Sequence, residues 1–258
     1  MKVLSFSNAV PDRFVIFDLE YLADRQLFDR YARADPKPAS CRWPFRRVIA
    51  LSAMSVSVNG GVWEVDDFRS FINPIERDNI RAFFDWMRER PLHRAVTWSG
   101  AAEDLNILKT AALEFGFTLP PQLRQNERDR LGFMHLDLSH IMKAGSGTHV
   151  HQLELAVRLG LPGKMAGSAG QVPYRVAEGN LRAVAWISEC DVLLTSCLLA
   201  SHLVTLGQVM SIQAAHYVTM RYVRERATEA NYHRELGNYI AKVERQMLAD
   251  QRSWLEAG

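Results

Sequence analysis

The spacing of apolar and polar positions along the chain predicts strands and helices in a mixed order. The first strand candidate, FVIFDLEYL at 14–22, begins with apolar residues but carries Asp18 and Glu20 in its second half. Further strands are predicted at 47–58, 62–72, 93–98 and 134–138, and NGG at 59–61 predicts a hairpin between the first two of these. Helices are predicted at 76–90, 99–116, 149–163, 180–207 and, with a polar pattern, from 210 to 255.

This order of elements predicts an α/β domain with a mixed β-sheet flanked by helices. Residues 23–46 contain three prolines and are interpreted as a long loop, and 163–172 as a loop with glycines. We expect a main domain over 1–207 and a C-terminal helical extension over 208–258. The apolar face of that extension needs a cover, which is either the main domain or, in a homo-oligomer, a second copy of the chain.

The composition limits the classes of protein to which the chain can belong. Its 258 residues are 48% hydrophobic, and 31 basic residues nearly balance 29 acidic ones, so a nucleic-acid site would have to be a local basic patch. The three cysteines form no CxxC motif and no Cys/His cluster, which argues against disulfides and structural zinc and favours the cytoplasm. We expect no signal peptide and no membrane-spanning helix, because no apolar run is long enough. Neither GxGxxG after a strand nor GxxxxGKS/T occurs, so nothing indicates a nucleotide cofactor.

Four acidic residues lie in or beside segments whose apolar neighbours predict burial. Asp18 and Glu20 point to one face of a strand, so they repel each other unless water or a cation reaches them. Asp104 lies near the start of a predicted helix, where the helix dipole by itself favours an acid. Asp191 lies inside an apolar helix, where it is costly to bury unless it is at a boundary or pairs with a residue such as Arg182.

These four acids come from three elements and offer the oxygen ligands that Mg²⁺ or Mn²⁺ prefers. They could hold two such ions close together, which is the arrangement that promotes in-line phosphoryl displacement. Each acid taken alone has an ordinary structural explanation, so the metal hypothesis depends on the joint pattern.

The joint pattern resembles the DEDD 3′–5′ exonucleases of the ribonuclease H-like fold, and more narrowly the stand-alone exonucleases related to the proofreading domain of family B DNA polymerases. The resemblance covers about residues 13–207. FVIFDLE at 14–20 is similar to the first exonuclease motif, D-x-E. VTWSGAAEDLNIL at 96–108 resembles the second motif, in which Ser99 and Glu103 replace the usual Asn and Phe. ISECDVLLT at 187–195 resembles the third motif.

The resemblance implies a ribonuclease H-like fold and a hydrolase that releases nucleoside 5′-monophosphates from DNA 3′ ends, which we expect to be single-stranded. Asp18, Glu20 and Asp191 would hold one Mg²⁺ or Mn²⁺ ion that activates a water, and Asp18 with Asp104 a second ion at the leaving 3′ oxygen. The implied catalytic and metal-binding residues are thus Asp18, Glu20, Asp104 and Asp191. The expected substrate-binding residues are Leu19, Ser99, Gly100 and, in a glycine-containing loop that suits a phosphate, Lys164.

One position departs from the resemblance. The third motif normally has a tyrosine where this chain has Ile187, and the sister subfamily has a histidine where this chain has Trp186. Such a residue orients or deprotonates the attacking water, which is worth about 10²–10⁴-fold in rate. Three outcomes are open. The chain has a lower rate than enzymes with such a residue, it uses another side chain such as Tyr174 or a loop histidine (His149 or His151), or it has no catalytic activity. We expect activity, because all four acids remain.

Two further segments are candidates for supporting roles. Asp137 resembles a family acid beside the site, and CRWPFRR at 41–47 combines arginines with aromatic residues, as single-strand-binding surfaces do, although its rings could equally fold onto the core. The alternatives to a DNA exonuclease are a 3′–5′ exoribonuclease acting on short RNA, a catalytically weak nucleic-acid-binding module, and a protein whose acids are incidental. Repair, plasmid or phage biology and anti-phage defence are all compatible with such an enzyme.

Overall fold

The computed structural model describes residues 13–124, 134–143 and 147–256. The strands in these ranges are β1 (Arg13–Ala23), β2 (Arg46–Asn59), β3 (Val62–Phe71), β4 (Arg94–Thr97) and β5 (His135–Asp137). They form one sheet in the order β3–β2–β1–β4–β5. β2 is antiparallel to β1 and β3, whereas β4 is parallel to β1 and β5. The predicted mixed sheet is therefore confirmed.

Helices cover both faces of this sheet. In the described residues they are α1 (Arg25–Ala34), α2 (Glu76–Arg88), α3 (Asp104–Phe115), α4 (Leu138–Lys143), α5 (Gln152–Arg158), α6 (Val172–Ala177), α7 (Leu181–Thr205), α8 (Ile212–Arg226) and α9 (His233–Glu256). α7 packs on one face and forms one apolar core with it, while α2 and α3 form a second core on the opposite face.

The alternation along β1 decides where its two carboxylates point. Phe14 and Ile16 belong to the core under α7, whereas Val15 and Phe17 belong to the core under α2 and α3. Burying each of these side chains stabilises the fold by about 1.5–3 kcal/mol, so the strand is held firmly between both layers. The next two residues in the row of Phe14 and Ile16 are acidic, and they are thereby aimed at α7.

The predicted hairpin between β2 and β3 is confirmed. Gly60 and Gly61 connect the strands with φ angles of 57° and 82°. A turn with both central residues at positive φ matches the twist of the strands and strongly favours glycine. β2 is buried along most of its length because it lies between β1 and β3 and is covered by helices on both faces.

α7 is apolar all round, as expected of a helix inside a protein. By length and composition it is the one helix among the described residues that could cross a membrane, but 89% of its apolar window is buried inside the fold. The core helix of a soluble protein has the same properties. The expectation about a signal peptide concerns the first residues of the chain, which lie outside the described ranges.

The C-terminal helices pack back on the sheet. Apolar residues of α8 and α9 join the core formed by α7. The indole N–H of Trp63 on β3 donates to the hydroxyl of Thr219 on α8 at 2.9 Å, and the Tyr222 hydroxyl donates to the Asp66 carbonyl at 3.1 Å. The apolar face of the C-terminal helices, which suggested a homo-oligomer, therefore packs against the sheet and α7 of the same chain. The division into 1–207 and 208–258 stays a prediction.

The interpretation of residues 23–46 as a loop was wrong. The segment contains α1 and a short 3₁₀ turn at Trp43–Phe45. Asp24 caps α1, because its carboxylate accepts a hydrogen bond from the Leu27 amide at 2.9 Å. The three prolines that suggested a loop all lie after the helix, where they do not interrupt its hydrogen bonds.

Two predicted helices are clearly shorter in the structure, and besides α1 the short helices α4 and α6 were not predicted. The helix expected at 99–116 begins only at Asp104, although it ends as predicted before Gly116, which has a φ of 69°. The helix expected at 149–163 covers Gln152–Arg158. α6 follows the glycine-containing loop and has only six residues, so its periodicity is too short to be recognised in the sequence.

Candidate metal centre

Three carboxylates meet between the sheet and α7. Each of Asp18, Glu20 and Asp191 has a carboxylate oxygen within 4.8 Å of such an oxygen on the other two. β1 supplies two of the acids and α7 the third, so the cluster joins residues that are far apart in the sequence. The structure thus brings together three of the four acids on which the metal hypothesis depends.

Burial and mutual repulsion make these groups costly to ionise. Burial raises the pKa of Asp18 well above its ordinary value, and the charges of Asp191, Glu20 and Asp104 raise it further. The same causes, burial first and then Asp191, raise the pKa of Glu20 to about 8. Burial also raises the pKa of Asp191. A cluster of this kind requires positive charge if all three groups are to be ionised at neutral pH.

Two oxygen atoms of the cluster are unsatisfied hydrogen-bond acceptors within the described residues. Asp18 Oδ2 and Asp191 Oδ1 are buried and accept no hydrogen bond from any described residue. Buried acceptors are normally satisfied, so unpartnered ones indicate a ligand. Carboxylate oxygens are hard donors of the type that Mg²⁺ and Mn²⁺ prefer. The residues present therefore fit a divalent cation.

Lys164 provides the one positive charge in direct contact with the cluster among the described residues. Its Nζ donates to Asp191 Oδ2 at 2.8 Å. Burial alone lowers the pKa of Lys164, but the charge and hydrogen bond of Asp191, with the charges of the two other acids of the cluster, outweigh burial and raise it. Arg182, which the sequence offered as a partner for Asp191, lies 3.5 Å from Glu189 instead.

Asp104 lies near the three-carboxylate cluster but is not one of the three acids whose oxygen atoms are within 4.8 Å of one another. It is the first residue of α3, after the end of β4. Burial, with the charges of Glu103 and Asp137, raises its pKa to about 7. Its charge in turn raises the pKa values of Asp18 and Glu20, so all four acids interact electrostatically.

Asp137 holds the turn that carries Asp104. Its Oδ1 accepts a hydrogen bond from the Ser99 amide at 3.0 Å, and its Oδ2 accepts one from the Ala101 amide at 3.1 Å. Ser99 has a φ of 60°, a left-handed conformation that costs a residue other than glycine about 1–2 kcal/mol. The two hydrogen bonds that these amides donate to Asp137 offset that cost, and the acid thus positions the turn.

The expected substrate-binding residues occupy different environments. Leu19 is buried in the core under α2 and α3, so a substrate contact at this residue would involve its main chain. The Ser99 hydroxyl donates to Ser139 Oγ at 2.8 Å. Gly100 lies against the Asp104 carboxylate, and Lys164 contacts the cluster itself. Their role in substrate binding stays a prediction.

Gly100 is expected to tolerate no side chain. A Cβ atom there would lie 2.7 Å from the Thr97 side chain and 2.8 Å from Asp104 Oδ2. We expect Gly100→Ala to cost about 1–3 kcal/mol of stability through overpacking. By displacing Asp104 it should also lower the turnover of the nuclease activity that the sequence leads us to expect, by about 10²-fold.

Thermal unfolding and turnover of the variant test this expectation. Gly147→Ala is the matched control, because a Cβ at Gly147 meets no atom within 4 Å. Unchanged turnover in Gly100→Ala would show that the reaction rate does not depend on the position of the Asp104 carboxylate.

The position of the usual water-orienting residue is apolar. Ile187 is 1% exposed and packs in the core under α7, and Tyr174 is 73% exposed on α6. His149 and His151 are both exposed, but His151 is close enough to Asp191 to lower the pKa of that acid when its ring is protonated. Of these alternatives His151 is therefore the one that the structure places near the acids.

His151 is held near Asp191 by its neighbour in the sequence. Gln152 Nε2 donates to the Asp191 carbonyl at 3.1 Å and to Thr195 Oγ1 at 2.8 Å, which ties the start of α5 to α7. The Nδ1 atom of His151 caps α5 by accepting a hydrogen bond from the Leu153 amide at 3.2 Å. The neutral ring consequently carries its proton on Nε2.

A second polar cluster, which sequence reasoning missed, borders the site. Arg46 donates to the Tyr21 hydroxyl at 2.6 Å, pairs with Glu103 and lies over the Tyr21 ring. Tyr21 also donates to Glu103. Glu103 precedes Asp104, and Tyr21 follows Glu20. The only signal in the sequence was the acid at the position where the second motif normally has Phe.

Comparison with known proteins agrees with this geometry. A family model described as "Predicted 3'-5' exonuclease related to the exonuclease domain of PolB" matches residues 40–243. No curated protein matches the chain. The structure of the family B DNA polymerase from the hyperthermophilic archaeon Pyrobaculum calidifontis is similar over 81% of this chain, with 17% identity and a TM-score of 0.53.

The chain corresponds to 27% of that polymerase chain, and the likeness at this identity concerns the fold. It confirms the predicted ribonuclease H-like mixed sheet with flanking helices. The family model spans well over half of the chain, from before β2 into α9. The chain therefore belongs to the family of predicted 3′–5′ exonucleases related to the exonuclease domain of PolB.

Proposed function

We propose that this protein is a metal-dependent 3′–5′ exonuclease that releases nucleoside 5′-monophosphates from DNA 3′ ends. The observation that carries the proposal is the buried cluster of Asp18, Glu20 and Asp191, with two unpartnered oxygen atoms, in a chain of an exonuclease family. Such a cluster destabilises the fold at neutral pH unless it binds cations, so a functional role explains its presence.

The four acids have distinct roles in this proposal. Asp18, Glu20 and Asp191 would bind one Mg²⁺ or Mn²⁺ ion, and Asp18 with Asp104 a second. Such ions supply Lewis-acid charge, which lowers the pKa of water and neutralises charge on the reacting phosphate. Asp137 keeps the Asp104 turn in place, and the buried surroundings exclude water, which strengthens every charge interaction in the site.

The chain's own residues give little help with the proton of the attacking water. Ile187 has no polar atom, and His151 in this geometry donates at Nε2 instead of accepting a proton there. We therefore expect turnover below that of an enzyme with a well-placed general base, by up to about 10²–10⁴-fold. We also propose that the protein acts in the cytoplasm and that its preferred substrates are single-stranded 3′ ends.

Digestion of 5′-labelled oligonucleotides tests the proposed reaction. Single-stranded DNA, a duplex with a recessed 3′ end and RNA of the same sequence are compared in Mg²⁺, in Mn²⁺ and with a chelator. We expect a ladder of products shortened from the 3′ end, formed only with metal and fastest on single-stranded DNA. Faster digestion of RNA would instead assign the exoribonuclease activity.

A second candidate, a nucleic-acid-binding module with little catalysis, is favoured by the buried Ile187. Under this alternative the chain would bind single strands but release no mononucleotide in either metal. Binding measured beside the digestion assay therefore separates the two functions.

Lys164 should affect metal and substrate in opposite directions. Its ammonium group competes with a divalent ion for Asp191, yet it offers a cation to a substrate phosphate. We expect Lys164→Met to lower the Mg²⁺ concentration needed for half-maximal activity by about tenfold. The KM for an oligonucleotide should rise by about tenfold because a charge-assisted hydrogen bond is lost.

Steady-state kinetics over a range of Mg²⁺ concentrations measure both effects. Lys242→Met, on an exposed position of α9, is the matched control and should change neither. A variant at Lys164 that needs more Mg²⁺, or binds the oligonucleotide more tightly, would contradict this role.

A further inference from the structure

The segment from the end of β1 to the first residue of β2, residues 24–46, concentrates positive charge near the metal centre. We call it the α1 excursion. It contains six basic and three acidic residues, whereas the whole chain has 31 and 29, so the remainder of the chain carries a slight negative excess. The α1 excursion is thus a local basic patch of the kind that a nucleic-acid site in this nearly neutral chain requires.

The charges of the α1 excursion are available to a partner. Two of its acids already serve local structure, since Asp24 caps α1 and Asp35 accepts hydrogen bonds from the Tyr31 hydroxyl and the Lys37 amide. By contrast, its exposed basic residues make no ion pair within the described part of the chain. These residues are Arg25, Arg30, Arg33, Lys37 and Arg42.

The aromatic residues of the α1 excursion do not fold onto the sheet. Tyr31 stacks on Phe45 with ring centroids 5.2 Å apart, and Phe28 meets Phe45 edge-on at 5.4 Å. None of these rings belongs to either core of the sheet. Trp43 takes part in no described ring contact and, at 38% exposed, is the most accessible aromatic residue of the segment.

The base of the α1 excursion lies near Asp104, because the charge of Arg46 is close enough to lower the pKa of that acid. The segment leaves β1 shortly after Glu20, and its ends are joined by a hydrogen bond of 2.7 Å from the Asp24 amide to the Phe45 carbonyl. Arg46 then binds Tyr21 and Glu103, the neighbours in sequence of Glu20 and Asp104. A strand whose end lies at the acids can therefore reach the α1 excursion.

We propose that the α1 excursion binds the single strand that leads to the reacting 3′ end. Trp43 stacks on a base, and Arg42 with the exposed arginines of α1 holds the phosphates. This inference rests on the proposed exonuclease function and adds the path of the substrate to it. A basic surface with an exposed aromatic ring suits single-stranded nucleic acid because every base has a face for stacking.

Binding without turnover tests this surface. A fluorescent single-stranded oligonucleotide of about 10 nucleotides, within the usual site size, is titrated in Ca²⁺ and fluorescence anisotropy is measured. We expect Trp43→Leu to weaken binding by about tenfold, which corresponds to the loss of one stacked base, and Trp43→Phe to weaken it less. Arg42→Ala should weaken binding and reduce its dependence on salt.

The matched control is Arg234→Ala on α9, an exposed arginine that has no ion pair in the described residues and lies outside the α1 excursion. It should bind like the unchanged protein. Binding by Trp43→Leu within about twofold of the unchanged protein, or an equal loss in Arg234→Ala, would overturn the proposal.

A small substrate separates this inference from the proposed function. The nitrophenyl ester of thymidine 5′-monophosphate has a single nucleotide and no strand leading to it, so its hydrolysis reports on the metal centre without strand binding. If the unchanged protein hydrolyses neither this ester nor oligonucleotides, the exonuclease function fails. The anisotropy measurement needs no hydrolysis and still decides whether the α1 excursion binds single strands.

Discussion

Replacing Asp18 with asparagine should lower exonuclease turnover by about 10³-fold or more while leaving the fold intact. Burial raises the pKa of Asp18 most, and the charges of all three other acids raise it further, so Asp18 lies at the electrostatic centre of the group. Asparagine keeps the shape and one oxygen but removes the charge that would bind the cations. The loss should be equally large on the small nitrophenyl ester, because it concerns chemistry and not strand binding.

Initial rates of mononucleotide release in Mg²⁺ and in Mn²⁺ measure this loss. Asp85→Asn is the matched control, since Asp85 is an exposed acid on α2 in a surface ion pair with Arg88, and such pairs contribute little. We expect it to leave turnover unchanged. An Asp18→Asn variant with more than about a tenth of normal activity would rule out the proposed metal centre.

The same centre should make the metal-free protein less stable as pH rises. The pKa of Glu20 is raised to about 8 and that of Asp104 to about 7, both chiefly by burial, whereas in the unfolded chain such acids titrate near pH 4. The folded state therefore binds more protons than the unfolded state throughout this range. Stability is greatest below about pH 4 as far as these groups are concerned, and it is lost as pH rises to about 8.

The free energy of unfolding should fall by about 3 kcal/mol over this range. The fall is smaller than the sum of the separate pKa shifts, because the acids raise one another's pKa and the charge of Lys164 partly compensates for their repulsion. Thermal unfolding in the presence of a chelator, at several pH values between about 5 and 8, measures it. Saturating Mg²⁺ or Mn²⁺ should restore about 2–3 kcal/mol at the upper end, which for a chain of this length raises Tm by several degrees.

Asp18→Asn provides the internal control for this stability prediction. It should unfold at a higher temperature than the unchanged metal-free protein at pH 8, with a flatter pH profile and a smaller response to metal. A variant that removes activity and increases stability is the signature of a functional charge cluster. A metal-free protein whose stability rises between pH 5 and 8 would contradict the pKa shifts on which this prediction depends.

Local patterns predicted much of the fold. The alternation along β1 and β2, the two glycines of the hairpin and the apolar α7 could be recognised because each depends on residues close together in the sequence. The segment 23–46 was misinterpreted because α1 is held by Asp24 and by rings that meet Phe45, about fifteen residues further along. Such contacts leave no periodic signal.

The order of residues along the chain is enough to predict that Asp18 and Glu20 share one face of a strand. Their contact with Asp191 depends on packing, because α7 crosses the sheet to cover its apolar face. Packing also brings Asp137 to the Asp104 turn and Lys164 to Asp191. The direction of a side chain follows from local backbone geometry, whereas its burial and its charged neighbours follow from packing between distant segments.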